Sequence, residues 1–257
     1  MKTLYCKSAI LLAVLLSAGI CLSAQTVKKD FHKEYPASGS TELKIDNQFG
    51  SLTITEGDMS TITIDVKVEV SGSSEAKVQK LLDKIDVVFK EDGNRITAST
   101  KIGDGTKGGN NEGKTSFHID YTVRCPKNIS LNLKNQFGDI AIGTHTGPVK
   151  IDIQFGSLNA VSLDHTGTKI DAQFGKVNIG TIQSAKIDAQ YSEPLKIDEA
   201  GSLTIDGQYT KAEIGSIKSL NADFNYGELN IGSVSEMLNL DVNFTSVKIT
   251  NVQSSFS

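Results

Sequence analysis

Aspartate recurs at one position of a repeated sequence pattern, and paired carboxylates are the groups that many carbohydrate-cleaving enzymes use for catalysis. Such enzymes place the two carboxylates in different environments, so that one has a raised pKa and acts as the acid. Here six of the seven copies carry a single aspartate at an equivalent position, which indicates a repeated structural position and no catalytic residue. A β-helix polysaccharide lyase or hydrolase remains the alternative. The recurring carboxylates are Asp152, Asp171, Asp188, Asp206, Asp223 and Asp241.

A second pattern resembles a nucleotide-binding loop. Residues 108–115 match G-x-x-x-x-G-K-T. Such a loop holds phosphate when a helix follows it, because the helix N-terminus and the backbone N–H groups bind the anion. Here the apolar residues Phe117, Ile119, Tyr121 and Val123 alternate with polar ones, so a strand follows. We predict a glycine-rich hairpin loop and no cofactor.

Histidine and cysteine form no pattern typical of a metal site. His145 and His165 both precede Thr-Gly, which predicts solvated turns that lie near each other in adjacent copies. No further pair with ligand spacing accompanies them, so no metal site is predicted. Cys125 stands in an apolar alternation and is predicted to be a small packed residue.

The first 24 residues have the layout of a secretory signal peptide. Lys2 and Lys7 form a positively charged region before an apolar run at 9–16, and small residues lead to a cleavage position near Ala24. Ile20 precedes Cys21 where a lipid-anchored protein has a small residue, so a lipid anchor is not expected. We predict an exported chain without a transmembrane segment after cleavage, located in the periplasm, at the outer-membrane surface or outside the cell.

Composition excludes two further classes. The chain has 257 residues, 26 basic and 30 acidic side chains, and a formal net charge of −4. A hydrophobic share of 38% together with 23 glycines is typical of a globular chain and not of a disordered one. The mildly acidic balance predicts no nucleic-acid partner.

One short motif repeats through the second half of the chain. Gln or Asn followed by Phe or Tyr recurs seven times from Gln136 to Asn243, at steps of 18, 19, 17, 18, 17 and 18 residues. Around each motif apolar and polar residues alternate with a period of two, which predicts strands. Glycines and small polar residues between them predict turns.

Short strands at a fixed period, with no helices between them, can bury their apolar faces by coiling. We therefore predict a mainly β fold, a right-handed parallel β-helix with about 18 residues per turn. A left-handed hexapeptide helix would need apolar residues six positions apart, and Ile170 is followed at that distance by Lys176.

Stacked coils place equivalent residues in columns. The aromatic residues of the motif are predicted to form an internal column, and the polar residues before them to form columns on the outer face. Lysine on this face can offset repulsion between the stacked aspartates. The candidate binding face consists of Asp152, Asp171, Asp188, Asp206, Gln154, Gln173, Gln190, Gln208, Lys150, Lys169 and Lys186.

An isolated copy at 43–54 precedes a different kind of segment. Ser73 or Ser74 can cap a helix, and Val78 and Leu82 lie on one apolar stripe of it. We predict a signal peptide at 1–24, a lead-in at 25–42, the first coil with a strand and helix cap at 43–130, and repeats at 131–257. No cap is predicted at the far end, so this edge is a candidate for self-association.

The whole pattern resembles a family of exported bacterial β-solenoids described as "putative adhesins". The resemblance covers 40–257 and rests on Gln-Phe-Gly-Ser-Leu-Thr-Ile at 48–54, the helix-bearing segment near 73–85, the approach at 121–126 and the Gly-x-apolar-x-apolar turns. The glycine that follows the aromatic residue is missing after Tyr191, Tyr209 and Phe244. The resemblance implies the solenoid fold, and it brings no catalytic residues.

Together these patterns predict a noncatalytic protein of the cell envelope or cell surface. It would bind a glycan, a matrix protein or its own copies through the outer columns. A scaffold in the periplasm is a further alternative.

Overall fold

The computed structural model describes residues 25–103 and 115–253. The predicted signal peptide with Cys21, and residues 108–114 of the glycine-rich loop, lie outside the described residues. The strands of the first half are β1 (Gln25–Pro36), β2 (Glu42–Gln48), β3 (Leu52–Gly57), β4 (Thr61–Gly72), β5 (Ile85–Asp92), β6 (Arg95–Ile102) and β7 (Ser116–Pro126). The helix α1 covers Glu75–Leu82.

The repeats supply the remaining strands, which lengthen toward the C-terminal end because the bends between them keep strand pairing. They are β8 (Ser130–Gln136), β9 (Ile140–His145), β10 (Val149–Gln154), β11 (Ser157–Leu163), β12 (Thr168–Gln173), β13 (Lys176–Gln190), β14 (Leu195–Gln208) and β15 (Lys211–Val252).

Each coil contributes one strand to each of two parallel faces. The first face stacks β2, β8, β10 and β12, and the second stacks β3, β9 and β11. The long strand β13 belongs to both, since its first part pairs with β11 and its last part with β12. β14 and β15 continue both faces in the same register. The prediction of a parallel β-helix with about 18 residues per turn is confirmed.

Alternation along each strand builds the core. On the first face Ile151, Ile170, Ile187 and Ile205 form one inward column and are at most 2% exposed. β-branched side chains suit such positions because they pack well on a pleated surface. Removing a column of apolar side chains from water is the main stabilising term of the solenoid.

The segment between the first copy and the repeats caps the N-terminal end. β6 pairs in parallel with β2, and β5 closes that face as an antiparallel edge. On the second face β7 pairs in parallel with β3, while β4 runs antiparallel between β7 and β1. The helix α1 begins after Ser74, whose side chain makes no capping hydrogen bond, and buries Val78 and Leu82. The isolated copy is therefore the first coil, lying between the cap and β8.

Candidate binding face

The predicted outer columns are present and aligned. Strand register places the three lysines of the first face directly above one another, and the same holds for the aspartates and for the glutamines. The columns continue upward through Asp223 and Asn225. All eleven predicted residues, Lys150, Lys169, Lys186, Asp152, Asp171, Asp188, Asp206, Gln154, Gln173, Gln190 and Gln208, thus share one face. We call this set the ladder face.

The glutamine column is a row of side-chain amides. Gln136 Nε2 donates to Gln154 Oε1 at 3.1 Å, so one amide bonds the amide of the next coil. Gln173 Nε2 instead donates to Asp171 Oδ1 within its own coil, at 3.4 Å. Each amide retains further donor and acceptor capacity, because a glutamine side chain has two N–H donors and a carbonyl oxygen. The column can therefore bond both to itself and to a partner.

The aspartate column is neutralised at its lower end by a residue that the sequence analysis missed. Lys134 occupies the aspartate position of its coil, with Asp46 below it and Asp152 above it. Its Nζ lies 3.0 Å from Asp152 Oδ2. This ion pair raises the pKa of Lys134, mainly through its hydrogen bond to Asp152. The coil that carries Lys134 lies directly below the coils of the predicted aspartate series. Aligning the Gln-Phe motif of that coil with the later ones places Lys134 at the aspartate position, and this alignment could have identified it from the sequence.

Higher in the column the carboxylates repel one another. The pKa of Asp171 is raised by partial burial and by the neighbouring charges of Asp152 and Asp188. The pKa of Asp206 is raised in the same way, with Asp188 and Asp223 as its neighbours. Lys186 reduces the effect at Asp206 but does not abolish it. The ladder face therefore carries a column of aspartates whose mutual repulsion the lysine charges offset only in part.

Replacing Asp171 and Asp206 together by asparagine should stabilise the fold at neutral pH. A raised pKa means that the folded state binds the proton more tightly, so wild-type stability falls as pH rises above the ordinary aspartate pKa of about 3.9. We expect a gain of ~0.5 kcal/mol per site near pH 7, since exposed charges interact weakly. The gain should vanish below about pH 4, where the carboxylates are protonated. Urea unfolding at both pH values measures it.

The matched control is Asp198→Asn. Asp198 lies 3.4 Å from Lys196 and has no aspartate column around it, so this change should give no gain at pH 7. Equal gains in both variants would contradict the repulsion argument.

The aromatic residues do form a column, but the prediction that it is internal is wrong. Neighbouring rings stack with centroids 4.9–5.1 Å apart and nearly parallel planes. From Phe137 to Tyr226 the rings are 47–51% exposed, so they stand on the outside of the corner between the two faces. We call this column the aromatic ridge. It consists of Phe49, Phe137, Phe155, Phe174, Tyr191, Tyr209, Tyr226 and Phe244.

Backbone geometry explains the outward position. Every residue of the aromatic ridge has a positive φ, between 48° and 63°, which turns the chain from the first face to the second. The alternation of strand side chains is broken at such a residue, so the ring points away from the core. The left-handed conformation costs about 1–2 kcal/mol for a residue with a side chain. Stacking against the rings above and below offsets about 0.5–1.5 kcal/mol per pair.

The residue after the ring must fit against the coil below. A Cβ on Gly156 would lie 2.0 Å from the carbonyl oxygen of Gly138, so only glycine fits there. Where glycine is missing, the side chain turns inward instead. Thr210 Oγ1 donates to the carbonyl of Ala189 at 2.9 Å, and Ser192 Oγ donates to that of Ala172 at 3.2 Å. The three departures from the sequence pattern therefore keep the corner, with Thr245 bonding in the same manner.

A buried polar pair lies inside the solenoid, and it corrects the prediction that His145 is solvated. The His145 side chain is fully buried, and its Nε2–H donates to the carbonyl of Ile129 at 2.9 Å. Its Nδ1 faces Glu56 Oε1 at 3.7 Å, and neither atom has a hydrogen-bond partner. Burial lowers the pKa of His145 and raises the pKa of Glu56. His145 is therefore neutral, with a lone pair on Nδ1 that faces a carboxyl group.

Cys125 packs beside this pair, as the register places it opposite Glu56. The thiol is fully buried, which confirms the prediction of a small packed residue. Burial and the charge of Glu56 raise the pKa of Cys125 to about 12. The thiol is thus not ionised at neutral pH, and it has no nucleophilic character there.

The substitution Glu56→Gln should stabilise the protein above neutral pH. Its amide can donate to His145 Nδ1, and its carbonyl can still accept from the Gly143 N–H, which now bonds Glu56 Oε2 at 3.1 Å. We expect a gain of about 1 kcal/mol at pH 8. The gain should shrink at lower pH, because a protonated Glu56 could make the same bond. Thermal unfolding across pH 5–8 measures it.

Glu56→Met is the matched control, since it fills similar space and leaves both His145 Nδ1 and the Gly143 N–H without partners. It should be less stable than the wild type. A Glu56→Gln variant as unstable as Glu56→Met would show that the carboxylate charge itself stabilises the fold.

Two features concern membranes and metals. Among residues 25–103 and 115–253 no helix is long and apolar enough to span a membrane. In the same described residues no three histidine, cysteine or acidic side chains are grouped as metal ligands would be.

His165 lies near His145, as predicted, and its Nδ1 accepts the N–H of Gly167 at 2.8 Å.

Comparison with known proteins gives structural neighbours only. No protein-family profile matches the chain. No curated protein matches it by sequence. A crystal structure of a "putative adhesin" from Bacteroides fragilis is 15% identical, with a TM-score of 0.42, over 87% of this chain and 95% of that one.

Two further solved structures are similar to the chain. A "putative adhesin" from Parabacteroides distasonis is 14% identical with a TM-score of 0.40, over 88% of this chain and 97% of that one. A "putative cell adhesion protein" from Clostridium sporogenes is 9% identical with a TM-score of 0.35, over 88% and 100%. Two of these three structures carry the name of the family that the sequence resembles.

Proposed function

We propose that this chain is a noncatalytic, exported protein of the bacterial cell envelope that binds a linear glycan along the ladder face and the aromatic ridge. The observation that carries the proposal is the register of the outer columns. The same amide, carboxylate and ring recur in successive coils about 5 Å apart. A partner that also repeats along a line can make the same contact at each coil.

The chemistry of the face suits a sugar polymer. Glutamine amides and aspartate carboxylates can bond hydroxyl groups, and the glutamine column lies one residue before the aromatic ridge in each coil up to Tyr209, with Asn225 and Asn243 at that position in the last two. Half-exposed rings offer apolar edges to the C–H groups of a sugar, and Tyr191, Tyr209 and Tyr226 add hydroxyl groups. The aspartate column, whose charge the lysines offset only in part, disfavours an acidic polymer. A neutral or N-acetylated glycan is therefore the partner class that fits best.

The regularity of the columns also supports a binding role over catalysis. A glycoside hydrolase needs two carboxylates whose environments differ. On the ladder face Asp171 and Asp206 have raised pKa values from the same causes, and they lie two coils apart. Neither carboxylate is distinguished as the acid.

Glycan binding should depend on the glutamine column. We expect Gln173→Ala/Gln190→Ala to weaken binding at least tenfold, because two amides are lost and flanking groups lose their alignment. The probes are immobilised chitin oligosaccharides and mannan, with hyaluronan as the anionic comparison. Binding is measured by biolayer interferometry with the purified chain.

The matched control is Asn159→Ala/Asn178→Ala on the second face, where Asn178 Nδ2 donates to Asn159 Oδ1 at 3.1 Å. This change removes an equivalent amide pair and should leave binding unchanged. Equal losses in both variants, or tight binding to hyaluronan alone, would overturn the assignment to the ladder face. Release of shorter oligosaccharides during binding would favour the enzyme alternative.

Surface exposure is a separate prediction. Protease added to intact cells should degrade the chain, because a protein that binds external glycans must be accessible from outside. Immunoblotting before and after cell lysis measures this, with a cytoplasmic protein as the control for intact cells. Degradation only after lysis would overturn the surface location and favour the scaffold in the periplasm.

A further inference from the structure

The last coil of the solenoid leaves its apolar side chains uncovered. Leu220, Phe224 and Ile231 in the preceding coil are at most 2% exposed. One coil later no residue from 235 to 253 is buried. The inward positions of that coil nevertheless stay apolar. They are Leu238, Leu240, Val242, Val247, Ile249 and Val252.

The aromatic ridge ends in the same way. Tyr226 covers one face of the Phe244 ring at 4.9 Å, and the ring is 80% exposed. At the opposite end of the ridge Phe117 packs against Phe49 in an edge contact at 5.2 Å. The ridge is therefore closed at its N-terminal end and open at Phe244. Within the described part of the chain no other strand pairs with the outer edge of this coil, since β15 joins the sheet through β14.

We propose that two copies of this chain associate through these open ends as a closed, two-fold symmetric dimer. The cap at the N-terminal end decides the symmetry. There α1 and strands β1, β4 and β5 cover the core, with Val68, Val70 and Val78 fully buried. A head-to-tail stack would leave one open end facing this closed cap. Pairing of end with end uses the same surface twice and closes the assembly.

Symmetric pairing makes the two edges antiparallel, and when the two-fold axis runs through the corner at Phe244 the first-face strand of one copy lies along the second-face strand of the other. In the first-face strand of the last coil the inward side chains stand at the even positions from 238 to 242, and in the second-face strand they stand at the odd positions 247 and 249. An inward residue of one copy therefore meets an inward residue of the other only when the two residue numbers have an odd sum. The register centred between Phe244 and Thr245 meets this condition. It pairs Val242 with Val247 and Leu240 with Ile249.

Charge favours this register over its neighbours. Between residues 238 and 252 the only charged side chains are Asp241 and Lys248, both exposed. The register centred at 244 and 245 sets Asp241 of one copy opposite Lys248 of the other, and does so twice because of the symmetry. A shift by two residues in either direction separates them. In this register four of the six inward apolar side chains, those of Val242, Val247, Leu240 and Ile249, meet an inward apolar partner, and the two charged side chains lie opposite each other.

The test is a charge swap measured by sedimentation equilibrium on the purified chain. The wild type should be a dimer at micromolar concentration. Asp241→Lys or Lys248→Asp alone should weaken the dimer at least tenfold, because each creates two like-charge contacts. The double variant Asp241→Lys/Lys248→Asp should restore the affinity to within about threefold.

Asp188→Lys is the matched control, because it reverses a charge in the same column three coils away from the open end. It should leave the dimer unchanged. Far-ultraviolet circular dichroism of each variant verifies that the strands are retained. A monomeric wild type, an open series of larger oligomers, or a dimer that tolerates both single reversals would overturn the proposal.

Discussion

Each coil from 43 onward turns the same corner in the left-handed region of backbone space, and the in-register stacking of the coils depends on that corner. A residue with a side chain is strained there, by about 1–2 kcal/mol. The stacked ring offsets a similar amount, about 0.5–1.5 kcal/mol. A ring can stack only if the coils above and below carry rings at the same position. The corner therefore couples each coil to its neighbours, and its rings stack at the spacing near 5 Å that hydrogen bonding between the parallel strands sets.

Regular stacking converts a repeated residue into a column, whether or not the column is favourable. Amides gain from it, since Gln136 bonds Gln154. Carboxylates are destabilised by stacking, since the charges of Asp152 and Asp188 flank Asp171 and repel its carboxylate. The retention of an unfavourable column next to a favourable one is the physical reason to associate this face with a partner. The same regularity supports a linear partner with a matching repeat and does not support a single catalytic centre.

The two ends of the solenoid differ in whether other parts of the chain cover the core. At the N-terminal end the antiparallel strands and α1 cover the apolar interior that parallel coils would leave open, and the sheet ends there in the edge strands β1 and β5. At the other end the last coil keeps the apolar pattern of the repeat, and no other described residue covers its outer edge. A surface that is apolar inside, paired in charge outside and open along its backbone is suited to a copy of itself.

Much of the fold could be read from the sequence because the determining interactions recur at short range. Alternation with a period of two and a step of about 18 residues predicted strands, coils and the eleven residues of the ladder face. The isolated copy at 43–54 carried the same motif, so its place as the first coil was also predictable. The compensating role of Lys134 was missed because its coil differs from the motif at the aspartate position, although the register of that coil aligns Lys134 with the aspartates.

Tertiary structure decided that the aromatic rings lie on the outside of the solenoid and not in its core. Alternation alone counts each aromatic residue as inward, and only the positive φ at the corner reverses it. His145 gives the same lesson, since a Thr-Gly turn predicts exposure while Glu56 and Ile129 from other coils enclose its side chain. The sequence by itself thus determined the coil, its length and its columns, which depend on neighbouring residues. The corner geometry and the buried pair arise from contacts between coils, and no local pattern encodes them.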